Sequence, residues 1–74
     1  MYTITAHAKQ RAEERGITRD MIRRTVHNGR VAVGRDSGHL KLSRQLRDGS
    51  WNVVIATISD VTHDPIITTT YIKH

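Results

Sequence analysis

Residues 16–33 read G-I-T-R-D-M-I-R-R-T-V-H-N-G-R-V-A-V, and the fold class turns on a change of period inside them. Up to Asn28 the core-facing positions recur at helical spacing: Met21, Ile22, Thr25 and Val26 form one stripe, while Arg19, Arg23 and Arg24 stay outside it. Thr18 is placed to cap this helix. Asp20 falls in its positively polarised first turn, and Ile17 can pack on Ile22 as a hydrophobic staple. Asn28-Gly29 closes the helix. From Arg30 the period drops to two, with Val31 and Val33 alternating with small or polar neighbours. Helix followed by strand, with no return to helical spacing downstream, predicts an α+β domain.

Upstream lies a second helical stretch, T-A-H-A-K-Q-R-A-E-E-R from Thr5 to Arg15. Thr5 is a good N-cap residue, and Gly16 supplies the positive-φ stop that ends many helices. Two helices joined by Gly16 and Ile17 predict an αα-hairpin. On the first helix His7, Arg11 and Arg15 share one face and Ala8 and Ala12 another. The small face suits close packing, and the basic face suits an anion such as phosphate. The positive helix end disfavours a protonated imidazole, so His7 is a candidate general base; metal ligand and ordinary surface histidine are the competing roles. Glu13 and Glu14 have basic residues three and four positions away, which points to surface ion pairs rather than a carboxylate base. Ahead of this helix, Met1–Ile4 is at most a short lead-in strand.

Downstream, G-R-D-S-G at 34–38 is a turn signal, and the next segment alternates: Leu40, Leu42 and Leu46 on one side, Lys41, Ser43, Gln45 and Arg47 on the other. Arg44 interrupts the apolar side. Asp48-Gly49 marks a hairpin into W-N-V-V-I-A-T-I-S, whose apolar run suits the central strand, with Trp51 as an anchor. S-D-V-T-H-D-P is a loop before a last strand, I-I-T-T-T-Y-I. Strict alternation there puts Ile67, Thr69 and Tyr71 on one side and Ile66, Thr68, Thr70 and Ile72 on the other. The expected architecture is an N-terminal αα-hairpin packed on one face of a four-stranded antiparallel meander, one domain spanning residues 1–74. The opposite face is left for solvent or a ligand. Thr69 and Tyr71 could together hold a phosphate or position a nucleotide, although threonine runs also occur in strands through propensity alone.

Seventy-four residues allow one small domain with a thin core, built mainly from Ile, Val, Leu and Ala because Phe is absent. There is no cysteine, hence neither a disulfide framework nor a thiolate site. No apolar run approaches the ~20 residues of a membrane helix, and the first residues lack the order of a signal peptide, so the chain reads as soluble. Twelve Lys plus Arg against seven Asp plus Glu give a net charge of +5, which points to a polyanion, nucleic acid first and an acidic protein second. His27, His39, His63 and His74 lack metal-site spacing, and no Gly-rich phosphate loop or serine elbow is present. No metal or other cofactor is expected.

T-A-H-A-K-Q-R-A-E-E-R-G-I-T at 5–18, the Asn-Gly after the second helix, and I-I-T-T-T-Y at 66–71 resemble the family called domain of unknown function 4258 over nearly the whole chain. The matching elements are His7-Ala8, Arg11, Arg15-Gly16-Ile17, and Thr69 with Tyr71; Thr68 and Thr70 are alternatives to Thr69. That family is similar to the barnase, EndoU, colicin and RelE group of toxin ribonucleases (the BECR fold), which join N-terminal helices to a four-stranded antiparallel sheet and cut RNA without metal. The resemblance implies a RelE/barnase-like domain and a metal-independent endoribonuclease toxin. In it the RNA 2′-OH attacks the adjacent 3′-phosphate. His7 would be base or acid, Arg11 the clamp supported by Arg15, Thr69 the phosphate binder, and Tyr71 the positioning group or acid. Arg15, Lys41, Arg44 and Arg47 would contact RNA, either tRNA or ribosome-bound mRNA. It also implies an acidic antitoxin or immunity protein as partner. The site of action would be cytoplasmic, whether the chain stands alone or ends a larger secreted toxin. Two alternatives lack catalysis: a phage- or plasmid-type module that grips nucleic acid or an acidic partner, and a protein that offers its last strand as a sheet edge.

Overall fold

The computed structural model describes residues 2–33 and 39–74, apart from the Val33 side chain. In chain order the elements are β1 (Thr3–Ile4), α1 (Ala6–Glu14), α2 (Arg19–Asn28), β2 (Arg30–Val33), β3 (His39–Gln45), β4 (Trp51–Ile58) and β5 (Pro65–Lys73). They form two helices against a sheet of order β1-β5-β4-β3-β2. The turn expected at 34–38 lies outside the described residues.

The four-stranded antiparallel meander is corrected by β1, which pairs parallel to β5 through Thr3 with Ile66 and Ile4 with Ile67. The sheet is therefore five-stranded and mixed. Two residues carry no readable periodicity. What secures them is long-range: the Thr5 amide donates to the Ile67 carbonyl (3.1 Å) just before α1 begins. The terminal strands are β1 and β2, and β1 covers the edge of β5 at Ile66 and Ile67 only.

Both helices start as their caps dictate, Thr5 Oγ1 accepting from the Ala8 amide and Thr18 Oγ1 from the Met21 amide, each at 3.1 Å. At the end of α1 the Ile17 amide donates to the Ala12 carbonyl and the Gly16 amide to Glu13, a Schellman closure with Gly16 at φ 69°. Gly29 after α2 has another reason to be glycine. Its backbone is extended, but a Cβ there would lie 2.3 Å from the Thr25 carbonyl oxygen and 2.9 Å from that of Ser43. The expected αα-hairpin is also modified, because each helix takes its main packing from the sheet, α1 from β5 and α2 from β3 and β4.

Ala8, Ala12, Ile17, Ile22, Leu42, Val54, Ala56 and Ile67 fill the layer between helices and sheet. Each buried Ile, Leu or Val there contributes roughly 1.5–3 kcal/mol, and the two alanines let α1 approach β5 closely. A polar chain crosses this layer. Thr25 Oγ1 donates to Asn52 Oδ1 (2.6 Å), Asn52 Nδ2 to Thr70 Oγ1 (3.2 Å), and Thr70 Oγ1 to the Val53 carbonyl (2.8 Å). All three side chains are fully buried and each is satisfied inside the fold, the Met21 carbonyl being a second acceptor for the Thr25 hydroxyl at 2.9 Å.

β4 and β5 lose register once. Ile55 faces Thr69 and Ala56 faces Ile67, which leaves Thr68 as an extra residue whose hydroxyl donates to the Ile55 carbonyl (3.2 Å). This bulge corrects the strict alternation expected for β5. Ile67 joins Thr70 and Ile72 on the helix side, and Thr69 and Tyr71 turn to the opposite face.

Candidate nucleic-acid interface

On the face away from the helices, the register aligns Arg30, Ser43, Val53 and Tyr71 in one row and Ala32, Lys41, Ile55 and Thr69 in the next. Gln45, Trp51 and Lys73 make a third row. No described strand contains Asp or Glu, so every formal charge on this face that belongs to a Lys or Arg stands without an acidic neighbour in the sheet. A cleft of about 330 Å³ opens there, with Val53 (1% exposed) as floor and Arg30, Lys41, Trp51 and Lys73 around it. Trp51 is thus not an anchor of the helix-side core. Asn52, Val54 and Ala56 take that side, which sends Trp51 and Val53 to the other.

The helix layer contrasts with this face. There Arg23 and Arg24 both pair with Asp20, and Arg11 Nη1 pairs with Glu14 Oε2 at 2.9 Å. The Arg23 hydrogen bond, helped by the charge of Arg24, holds the Asp20 carboxyl below its usual range. Beside the cleft, Asp48 is also held low, first by the Ser50 hydroxyl and then by the Ser50 amide. Among the described residues Arg30, Lys41 and Lys73 have no ion pair.

At the β5 rim Arg15 Nη1 donates to the Thr70 carbonyl (2.8 Å), and Arg15 and Tyr71 line one shallow depression. These two of the expected site residues are brought together. Thr69 lies on the same face as Tyr71, and its hydroxyl makes no hydrogen bond among the described residues. Of its neighbours, Thr70 is committed to the buried chain and Thr68 to the bulge. His7 is exposed in the first turn of α1, without a hydrogen-bond partner among the described residues, and stands about 12 Å along the helix axis from Arg15. Lys9 and Glu13 form the flank of α1 that meets α2, so His7 and Arg11 lie on the flank turned away from it. Lys41 belongs to the cleft, and Arg47 is exposed in the β3–β4 turn at its end. Arg44 lies on the helix side in register with Asn52, its Nε buried and without a hydrogen bond among the described residues.

Arg30, Trp51 and Lys73 were not among the residues expected from the sequence. The signal that could have found them is the strand phase. It is unreadable in a run as uniformly apolar as W-N-V-V-I-A until one knows which residues the helices cover. Among the described residues no three His, Asp or Glu side chains gather into a metal-binding cluster, and no helix is long and apolar enough to cross a membrane.

These features define a small basic α+β domain with one uncovered, cation-lined sheet face and an arginine–tyrosine pair at its rim. The chain belongs to the family described as Domain of unknown function (DUF4258), whose model matches residues 4–72. No curated protein and no solved structure matches the chain.

Proposed function

We propose that this protein is a metal-independent endoribonuclease of toxin type. The observation that carries the reading is the Arg15–Thr70 contact, which holds a guanidinium beside Tyr71 at the border of a sheet face lined with unpaired cations. RNA lies across the open face with phosphates toward Arg30, Lys41 and Lys73, and the scissile phosphate sits at the β5 rim. The 2′-oxygen forms a bond to the adjacent phosphorus and the bond to the 5′-oxygen breaks, leaving a 2′,3′-cyclic phosphate and a 5′-hydroxyl. His7 takes the 2′-OH proton or delivers one to the 5′-oxygen. Arg15, with Arg11, offsets the charge that builds on phosphorus; Thr69 binds phosphate, and Tyr71 positions the strand or supplies the proton. An acidic neutralising protein fits the same cations.

Binding without turnover is the second reading, and one observation favours it: His7 has no described partner to orient its ring and is distant from Arg15 along α1. One experiment separates the two. Purified protein is incubated with total cellular RNA in EDTA, with and without ribosomes, beside His7→Ala. Discrete cuts ending in cyclic phosphate, slowed roughly 10²-fold in His7→Ala at an unchanged thermal midpoint, support the ribonuclease and its assigned base or acid. RNA left intact by the wild-type protein in every condition leaves the binding module.

A further inference from the structure

We infer that the cleft around Trp51 is a base-stacking subsite for one unpaired nucleotide of an RNA strand. The inference rests on the proposed assignment of the open face to RNA and adds to it a specific contact. An indole is among the largest apolar surfaces a side chain offers, and in a chain with one Trp the core would be its ordinary place. Here it stands half-buried on the opposite face, on the first residue of the central strand. Lys73 lies directly across from it on β5, and Arg30 and Lys41 border the same cleft over the Val53 floor.

A planar ring ringed by cations is the combination that single strands use, since each base has a face to stack and each phosphate a charge to meet. About 330 Å³ is at the small end of ligand sites, the scale of one nucleotide rather than a duplex. Double-stranded RNA keeps its bases stacked inside and would present only phosphates and sugars to the indole. An acidic peptide would satisfy the cations but give Trp51 no planar partner. Among the described residues that line the cleft none is Asp or Glu; Asp48, next to the lining residue Gly49, turns its carboxylate to the Ser50 hydroxyl and amide.

Because Trp51 is the only tryptophan, its fluorescence reports on this subsite directly. The probe is a single-stranded 2′-deoxyadenosine hexamer, which lacks the attacking hydroxyl and cannot be cut. It should quench Trp51 emission and bind about tenfold more tightly than an abasic deoxyribose-phosphate hexamer of equal charge. Trp51→Leu should lose that tenfold preference while binding the abasic hexamer unchanged; should the Leu variant not fold, Trp51→Phe, which keeps a ring, should retain most of the preference. No binding, binding without quenching, equal affinity for the two hexamers, or equal quenching by a polyglutamate peptide would each overturn the subsite. Since the probe is uncleavable, a wild-type protein that binds and quenches but never cuts RNA overturns the ribonuclease reading and leaves the stacking subsite standing.

Discussion

Arg15 and Thr70 are joined by one hydrogen bond, guanidinium Nη1 to carbonyl oxygen at 2.8 Å, which fastens the end of α1 to the outer side of β5. β1 covers β5 only at Ile66 and Ile67, so further along that edge a side chain takes the place of a strand. The same residue looks inward as well: the Thr70 hydroxyl closes the buried chain from Thr25 through Asn52. The rim of the open face is thereby tied to the core on one side and to α1 on the other.

Arg15→Ala should lower stability by about 1 kcal/mol, less than a buried charge-assisted bond is worth because Arg15 itself is largely exposed. Urea unfolding measures this. If Arg15 also clamps the scissile phosphate, the variant's RNA cleavage should fall far more than its stability does. Cleavage at the wild-type rate would remove Arg15 from the chemistry.

Asn52→Ala should be much more costly, about 3 kcal/mol. It empties a fully buried site and removes one partner each from Thr25 and Thr70, which keep the Met21 and Val53 carbonyls. A loss below about 1 kcal/mol on urea unfolding would mean that the Met21 and Val53 carbonyls suffice for the two hydroxyls and that the chain across the core is not cooperative.

Deleting Thr68 tests the bulge. Without the extra residue, Ile67 still faces Ala56 and Thr69 still faces Ile55, so one uninterrupted alternation keeps Ile67, Thr70 and Ile72 together on the helix side of β5. The deletion variant should therefore keep a cooperative thermal transition by circular dichroism. Thr68→Val keeps the residue count and should cost only about 1 kcal/mol for the hydroxyl bond to Ile55. A deletion variant without a cooperative transition would show that the bulge itself, and not only the side taken by its flanking residues, is needed for β5 to pair with β4.

The acid limb of stability should depend on Asp48 and Asp20, both held below their ordinary value of 3.8 in the folded chain. A depressed folded value means stability that is fully present above the unfolded value and is lost as pH falls through the folded one. Thermal midpoints taken from pH 6 down to pH 2 should therefore drop less steeply below about pH 4 in Asp48→Asn than in the wild type. Parallel curves would exclude Asp48 from the acid response.

Legibility in the sequence followed the range of the interaction. Thr5 and Thr18 as caps, Gly16 as a left-handed stop and Asp48-Gly49 as a turn all depend on neighbours within a few positions, and all are where local chemistry puts them. The alternation of Lys41 and Ser43 against Leu40 and Leu42 was readable for the same reason. Arg15 and Tyr71 could be named from the family resemblance. Their meeting could not, since they are brought together by the docking of α1 on β5.

By itself, the sequence determined the order of two helices before four strands, the basic charge, and the helix boundaries, because caps, turns and periodicity act between residues close in the chain. The tertiary structure decided the rest: the parallel β1, the bulge that reverses β5 at Thr68, and the side on which Trp51 stands. Each depends on which strand or helix lies alongside, and a strand's two faces are chemically equivalent until packing buries one of them.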